Sequence, residues 1–367
     1  MTIEENVMNR LRMLCAATAC FVFAAGVAGI HASGHRRTLV VTMTNDPVAN
    51  QIKIYDADSH VLLQTLSTHG KGGASGNARG IRQHDDTIAV VNNGSSNVAM
   101  FTRNGDALRF DRVVSTTSAP VSVDFGNDHL YVAGATTVDS FVLRDGSAWL
   151  DGTTGLTLAG GGPPPTGSTA QVGVIDEKQL LVTLKTDPDP GTVDIVSLDR
   201  GRVRDAAPIA VSAPDGTLTP FGFAIYNDGT ALITLAHSNQ DGLFRDGSFT
   251  SVIAAGQSAS CWMTRVGKYV FVANTGSGTI SRLIGTGNHV FVDSPIAATI
   301  ATGGAPADID ANDGVLGVID HVSGESHLSL FVYNEFGELS AAGAPITVGA
   351  PAANGVAILS PRADEQN

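Results

Sequence analysis

The 367-residue chain contains 35 acidic and 22 basic residues, so its formal net charge is −13. Such a surface repels polyanions, which argues against nucleic acid as a partner. Only 16% of the residues are charged, 43% are hydrophobic and 42 are Gly, a composition that excludes a disordered chain and indicates a packed core with many tight turns.

The N-terminal segment has the layout of a signal peptide. Basic residues precede an uncharged, Ala- and Gly-rich stretch at 13–30, and small residues follow it. We therefore predict a signal peptide at 1–34, with Met8 as the initiator. The mature protein is then extracytoplasmic, periplasmic or secreted, without stable membrane insertion after cleavage. An uncleaved anchor helix is the alternative, because an uncharged stretch of this length can just span a bilayer.

Cleavage would leave Cys261 as the one cysteine of the mature chain, which excludes an internal disulfide. From Thr38 onward the chain repeats a unit of short apolar strands, polar turns and Gly/Ser-rich loops, and helical periodicity is absent. The clearest copies are 87–101 and 269–280, which follow one template about 180 residues apart. Stability must therefore come from the packing of repeated strands.

The repeats are spaced by 40 to 50 residues, a period typical of four-stranded propeller blades. We predict that residues 35–367 form one all-β domain, a seven-bladed β-propeller. The inner strands are predicted to start near Arg79, Pro120, Ala170, Pro220, Ser260, Pro306 and Pro351.

The two ends of the repeat region are complementary. The stretch 351–359 has the pattern of an inner strand with no outer strands after it, whereas 38–66 has outer strands and no inner strand. We predict that the C-terminal strand pairs with the N-terminal blade, because an open ring would leave strand edges unpaired.

The stretch 269–280 resembles the YVTN-type repeat, and the mature chain resembles the lactonase-like superfamily of seven-bladed propellers. That superfamily includes bacterial 6-phosphogluconolactonases and fungal carboxymuconate-lactonizing enzymes. The resemblance implies the fold strongly and a function weakly. The family enzymes use His, Glu and Arg near the channel, but those residues find no position-by-position match here.

In a blade with strands A to D from the centre outward, the D-to-A and B-to-C connections lie on one face and the A-to-B and C-to-D turns on the other. We expect a site at the channel mouth on the first face, where loops and inner strands converge. Histidines there could act as general bases, an acidic group could orient them, and cationic or amide side chains could bind a ligand. The predicted catalytic residues are His237, His321 and Glu325, and the predicted ligand-binding residues are Arg79, Asn92, Lys185, Asn274 and Asp320.

No metal or cofactor is expected. The stretch 308–314 looks like a calcium loop, but its Gly stands seventh instead of sixth and Ile319 occupies the twelfth position. We predict a hairpin turn there instead. The favoured function is a monomeric, exported binding or scaffold propeller that engages a small molecule, glycan or protein at its channel mouth. The alternative is a lactone hydrolase or cyclase, and a third hypothesis is a surface protein that merely presents loops.

Overall fold

The structure, a computed structural model, describes residues 37–144, 146–186, 190–286 and 289–360. All of them belong to one compact unit, Arg36–Asn367. The predicted signal peptide at 1–34 and the predicted initiator Met8 lie outside the described residues. No helix within the described ranges is long and apolar enough to cross a membrane.

The strands are grouped into seven antiparallel sheets, which are the blades. Blade 1 begins with β1 (Leu39–Met43), β2 (Gln51–Asp56) and β3 (Leu62–Ser67). Blade 2 consists of β4 (Ile81–His84), β5 (Thr87–Asn92), β6 (Asn97–Asn104) and β7 (Ala107–Ser115). Blade 3 consists of β8 (Pro120–Gly126), β9 (His129–Gly134), β10 (Thr137–Arg144) and β11 (Ser147–Gly155).

Blade 4 has a split outer strand, so that two short strands pair with its third strand. It comprises β12 (Thr169–Val174), β13 (Gln179–Leu184), β14 (Thr192–Asp199), β15 (Arg202–Val203) and β16 (Ile209–Ser212). Blade 5 is formed by β17 (Pro220–Ile225), β18 (Ala231–Leu235), β19 (Gln240–Arg245) and β20 (Ser248–Ile253). Blade 6 is formed by β21 (Ser260–Val266), β22 (Tyr269–Asn274), β23 (Thr279–Thr286) and β24 (His289–Thr299).

Blade 7 repeats the split outer strand of blade 4. It comprises β25 (Ala305–Asn312), β26 (Val315–Val322), β27 (Glu325–Tyr333), β28 (Leu339–Ala341) and β29 (Ile346–Thr347). The described helices are two single turns of 3₁₀ helix, at Asn93–Ser95 and Ala236–Ser238.

The final strand, β30 (Asn354–Leu359), is the inner strand of blade 1. It pairs antiparallel with β1, so that Leu39 lies opposite Leu359 and Val41 opposite Ala357. All six of its residues are buried. The predicted seven-bladed propeller, closed by the C-terminal strand, is confirmed.

Burial follows the position of a strand within its blade. Second strands such as β5 and β22 are apolar on both faces, because each blade packs between two neighbours. Outer strands such as β24 are mostly exposed and tolerate polar residues. The seven inner strands β30, β4, β8, β12, β17, β21 and β25 are the A strands that surround the channel.

Candidate functional site

One short segment closes the channel at the D-to-A face. We call residues 75–79, which belong to the loop between β3 and β4, the plug. The Asn77 side chain donates to the carbonyl oxygen of Val121 in blade 3 at 2.5 Å and accepts from Asn354 Nδ2 in blade 1 at 2.7 Å. Its backbone oxygen accepts from Trp262 Nε1 in blade 6 at 2.8 Å. Partners on opposite sides of the ring require the plug to lie across the channel.

Two backbone hydrogen bonds complete the attachment of the plug. The N–H of Ala78 donates to the carbonyl oxygen of Ala170 in blade 4 at 3.0 Å, and the Arg79 carbonyl accepts from Val123 N in blade 3 at 3.0 Å. Asn77 and Ala78 are both buried. The channel mouth where the sequence predicted a site is therefore occupied by the chain itself.

The opposite end of the channel is open and forms a cavity of about 600 Å³. Six of the seven A strands contribute their last residue to its lining, which places the opening at the A-to-B face. These residues are His84, Gly126, Val174, Ile225, Val266 and Asn312.

The charged floor of the cavity combines two arginines with two aspartates: Arg79, Arg82, Asp124 and Asp310. Arg82 Nε donates to Asp124 Oδ1 at 3.2 Å, and its Nη1 lies 3.8 Å from Asp310 Oδ1. Arg79 Nη1 lies 3.9 Å from Asp124 Oδ2. Each side chain in these pairs is less than a quarter exposed, so the charges interact with little screening by water.

Backbone groups hold both carboxylates in place. Asp124 Oδ2 accepts from Val174 N of blade 4 at 3.0 Å, and Asp310 Oδ2 accepts from Ile358 N of blade 1 at 2.9 Å. Asp310 lies near the end of β25, just before an A-to-B turn in which Asp313 and Gly314 have φ values of 49° and 79°. Positive φ at both central residues is the geometry of a type I′ hairpin turn. Each carboxylate is thus fixed relative to the arginines.

Arg79 is the cation of the floor whose N–H donors are not used by the described chain. Its guanidinium donates no hydrogen bond to any described residue, although its side chain is only 18% exposed. Burial and the neighbouring Arg82 lower the pKa of Arg79 to about 10, while the aspartates oppose this shift. The group is still a cation at neutral pH, and its N–H donors face the cavity that it lines.

A fifth titratable side chain, Asp308, lies beside the floor. Asp308 is 2% exposed, its Oδ1 accepts from Ile309 N at 2.9 Å, and its Oδ2 has no hydrogen-bond partner among the described residues. Burial raises the pKa of Asp308 to about 8, so this carboxyl holds its proton at neutral pH. Burial also raises the pKa of Asp310, although Arg82 opposes the effect.

Besides the charged floor, the lining includes the aromatic residues Phe125, Tyr226 and Tyr333 together with polar residues such as Asn227 and Asn312. At the rim, the Arg265 guanidinium lies over the Tyr226 ring at 5.4 Å and donates to Asn227 Oδ1 at 2.6 Å. The cavity therefore has an ionic floor and aromatic side chains that suit the carbon skeleton of a ligand.

No protein-family model and no curated protein matches the chain in sequence. Solved structures match its fold over most of its length. The periplasmic gluconolactonase of Pseudomonas aeruginosa matches with a TM-score of 0.63 and 16% identity, over 89% of this chain and 99% of that one. A Bacteroides fragilis protein, provisionally described as a 6-phosphogluconolactonase, matches with 0.63 and 13%, over 88% and 98%. The chain shares the propeller fold of these structures.

The same fold also carries other chemistry. An inactive variant of the Staphylococcus aureus virginiamycin B lyase, solved with quinupristin, matches with a TM-score of 0.54 and 14% identity, over 77% of this chain and 92% of that one. At 13% to 16% identity these matches establish the propeller fold and leave the reaction open. The predicted resemblance is confirmed at the level of the fold.

Of the eight site residues predicted from sequence, Arg79 lines the cavity and the other seven do not. Asn92 is fully buried and donates to Asn97 Oδ1 at 2.8 Å, while Asn274 donates to Ser281 Oγ at 2.8 Å. Both amides thus join the second and third strands of their own blades.

The remaining predicted residues are spread around the D-to-A face, which the plug closes and which we call the plugged face. Lys185 Nζ lies 5.6 Å from the Phe221 ring and 3.4 Å from the carbonyl oxygen of Ser75. His237 Nδ1 lies 3.1 Å from Thr219 Oγ1 in blade 5, and His321 Nε2 lies 2.8 Å from the carbonyl oxygen of Ala353.

The two acidic candidates have different environments. Asp320 is fully buried and accepts from Thr302 Oγ1 at 2.5 Å, whereas the Glu325 side chain is 67% exposed. The structure therefore does not bring the predicted catalytic residues His237, His321 and Glu325 together in the cavity. No three His, Cys, Asp or Glu side chains form a metal-binding group within the described ranges.

The sequence interpretation missed Arg82, Asp124 and Asp310. Asp124 lies within an A strand that is otherwise apolar or small, where a charge is costly unless it is paired. That mismatch was the available signal for Asp124, whereas β4 and β25 contain other polar residues and show no such contrast. Asp310 had been assigned to a turn, but it lies within β25 and the turn follows at Asp313.

Proposed function

We propose that the cavity at the A-to-B face binds a small ligand that carries a carboxylate and hydroxyl groups. The observation that carries this proposal is the Arg79 guanidinium, which lines the cavity and donates no hydrogen bond within the described chain. Arg offers paired N–H donors in the geometry that a carboxylate accepts. Arg82 and Asp310 add a second cation and a hydrogen-bond acceptor to the same floor.

The size and shape of the cavity support a small molecule over a polymer. A volume of about 600 Å³ lies within the usual range for small-ligand sites. The plug blocks the other end of the channel, so a glycan or peptide chain could not pass through. We therefore favour a small-molecule binding propeller that acts as a monomer and without nucleic acid.

A second candidate function is lactone hydrolysis, favoured by the position of Asp310 beside Arg82. Burial raises the pKa of Asp310, which brings the carboxylate closer to the basicity that a general base needs. In this reaction Asp310 takes a proton from the water that attacks the lactone carbonyl, and Arg79 donates to the carbonyl oxygen as negative charge develops there. The ring C–O bond then breaks, and the proton passes from Asp310 to the leaving oxygen. The product is a hydroxy acid, the same class of ligand as above.

The location outside the cytoplasm is also part of the proposal. It is supported by the sequence pattern of 1–34 and by a periplasmic lactonase with the same fold. N-terminal sequencing of protein recovered from the extracytoplasmic fraction should find a start between about residues 29 and 35. Recovery of the chain with Met1 or Met8 retained would contradict cleavage.

Calorimetric titration with D-gluconate tests the binding proposal. We expect saturable binding by the wild-type protein and a loss of about tenfold to hundredfold in affinity for Arg79→Ala, the usual worth of a charge-assisted hydrogen bond. Arg109→Ala is the matched control, because Arg109 is an exposed arginine on the outer strand β7. An absence of binding, or equal affinities for wild type and Arg79→Ala, would overturn the proposal.

Proton release from D-glucono-1,5-lactone, corrected for spontaneous hydrolysis, tests the second candidate. We expect Asp310→Asn to abolish turnover while it still binds gluconate, because the amide cannot accept the proton. If the wild-type protein binds gluconate without accelerating hydrolysis, the lactonase candidate is wrong and the binding function stands.

A further inference from the structure

We propose that Asn77 is a positioning residue for ligand binding, because it fixes the plug that holds the Arg79 guanidinium at the cavity floor. The inference rests on the proposed function and assigns to the plugged face a role in a site that opens on the other face. Asn77 does not line the cavity, so any effect on binding must pass through the plug.

Asn77 is suited to this role because its hydrogen bonds reach three blades. Its side chain joins Val121 of blade 3 to Asn354 of blade 1, and its backbone oxygen accepts from the Trp262 indole of blade 6. The residue is fully buried, so water does not compete for these bonds. Asn354 Nδ2 belongs to the closing strand β30, and thus the plug is tied to the strand that completes the ring.

Three consecutive residues of the plug are each hydrogen-bonded to A strands of other blades. Asn77 bonds to the partners above, the Ala78 N–H to Ala170, and the Arg79 carbonyl to Val123 N. The peptide between Asn77 and Arg79 is therefore clamped at both ends. Its orientation determines where the Arg79 side chain leaves the backbone.

Arg79 itself has a backbone conformation that depends on this clamp. Its φ is +56°, in the left-handed region that costs a non-glycine residue about 1 kcal/mol or more. Such a conformation persists only while the surrounding contacts determine it. Loss of the Asn77 bonds allows the segment to relax, and the guanidinium then leaves its position 3.9 Å from Asp124.

Substitution of Asn77 and Arg79, singly and together, tests the inference. We expect Asn77→Ala to weaken gluconate binding at least fivefold, and Asn77→Ala/Arg79→Ala to bind no more weakly than Arg79→Ala alone. This non-additivity identifies residues that act through one another. Hydrogen exchange at the Ala78 amide, whose N–H is bonded to Ala170, reports the order of the plug independently of any ligand.

A destabilised but remote variant separates positioning from general loss of stability. Ser140 is fully buried, donates to Asp151 Oδ1 at 2.7 Å and accepts from Val203 N at 3.0 Å, and does not line the cavity. Ser140→Ala should lower the unfolding midpoint and leave the gluconate affinity within twofold of wild type.

The outcomes for the two proposals are distinct. If wild type does not bind gluconate, the proposed function fails while the exchange data still show whether Asn77 orders the plug. If wild type binds and Asn77→Ala exchanges faster at Ala78 with unchanged affinity, the positioning role is wrong and the binding function stands. Fully additive losses in the double variant would also overturn the positioning role.

Discussion

The Arg82 guanidinium donates to the Asp124 carboxylate across the boundary between blades 2 and 3, at 3.2 Å. The same guanidinium lies 3.8 Å from Asp310 of blade 7, so one side chain links three blades around the channel. Because β30 of blade 1 also bonds to Asp310, the charged floor is connected to the ring closure. The candidate site and the assembly of the ring therefore share residues.

This arrangement predicts a specific stability loss when Arg82 is removed. Arg82→Met should lower the free energy of unfolding by about 2 to 3 kcal/mol, somewhat below the cost for a fully buried pair, because Asp124 and Asp310 each lose a cationic partner while Arg79 stays near Asp124. Urea unfolding at pH 7 measures the change. The double variant Arg82→Met/Asp124→Asn should lose less than the sum of the single variants, since it leaves one carboxylate fewer unpaired. Strictly additive losses in the free energy of unfolding would show that the Arg82–Asp124 pair does not stabilise the fold.

The raised pKa of Asp308 predicts that the free energy of unfolding falls as the pH rises. The pKa of Asp308 is about 8 in the folded protein against the ordinary value of 3.8 for an aspartate, so the folded state keeps a proton that the unfolded state has released. The free energy of unfolding then decreases from about pH 4 to about pH 8, by at most about 1.4 kcal/mol per pH unit for one group. Asp194 and Asp241, whose pKa values burial raises to about 7, act in the same direction at lower pH.

Asp308 makes the largest contribution between pH 7 and pH 8, because Asp194 and Asp241, whose pKa values are about 7, are already half deprotonated at pH 7. Urea unfolding at pH 7 and pH 8 should show a decrease for wild type and a much smaller one for Asp308→Asn. Asp194→Asn is the matched control and should keep most of the wild-type difference, because its pKa of about 7 leaves it a smaller share of that interval. An Asp308→Asn variant with the full wild-type decrease would contradict this assignment.

A site at the D-to-A face and a site at the A-to-B face predict opposite effects of histidine substitutions on binding and turnover. The sequence predicted His237 and His321 as catalytic residues at the D-to-A face, whereas the cavity at the A-to-B face is lined by Arg79 and Arg82. We expect His237→Ala and His321→Ala to keep the gluconate affinity and any lactone turnover within threefold of wild type. Arg82→Met should reduce both by more than tenfold. Turnover lost in His237→Ala and retained in Arg82→Met would instead locate the site at the plugged face.

The fold was predictable because every repeat carries the same local signals. Strands such as β22 have a continuous apolar run followed by Asn and a Gly-rich turn, and this spacing recurs along the chain. Loop–loop contacts leave no such periodic trace. The sequence shows that 68–80 is a Gly-rich connection, but not that Asn77 crosses the channel to meet Trp262, 185 positions away.

The candidate site was only partly predictable for a related reason. Arg79 was identified as a cation near the channel, but its loop lies at one face while its side chain lines a cavity that opens at the other. The stretch 308–314 looks like a calcium loop in sequence, whereas the pairing of Asp310 with Arg82 of blade 2 depends on ring closure. Contacts between blades 2 and 7 exist only once the whole ring has formed.

Deletion of the closing strand should therefore abolish the folded state. Residues 351–359 include β30, which supplies every inner-strand partner of β1 as well as the backbone N–H that Asp310 accepts. The deletion also removes the Leu359 carbonyl that accepts from Arg103 Nη1 at 3.0 Å. We expect a chain ending at residue 350 to aggregate or to lose its cooperative thermal transition, because an unpaired strand edge and a large apolar surface become exposed. A chain ending at Ser360 keeps all of β30 and is the control. A monomeric chain ending at residue 350 with the melting midpoint of that control would show that the propeller does not need its closing strand.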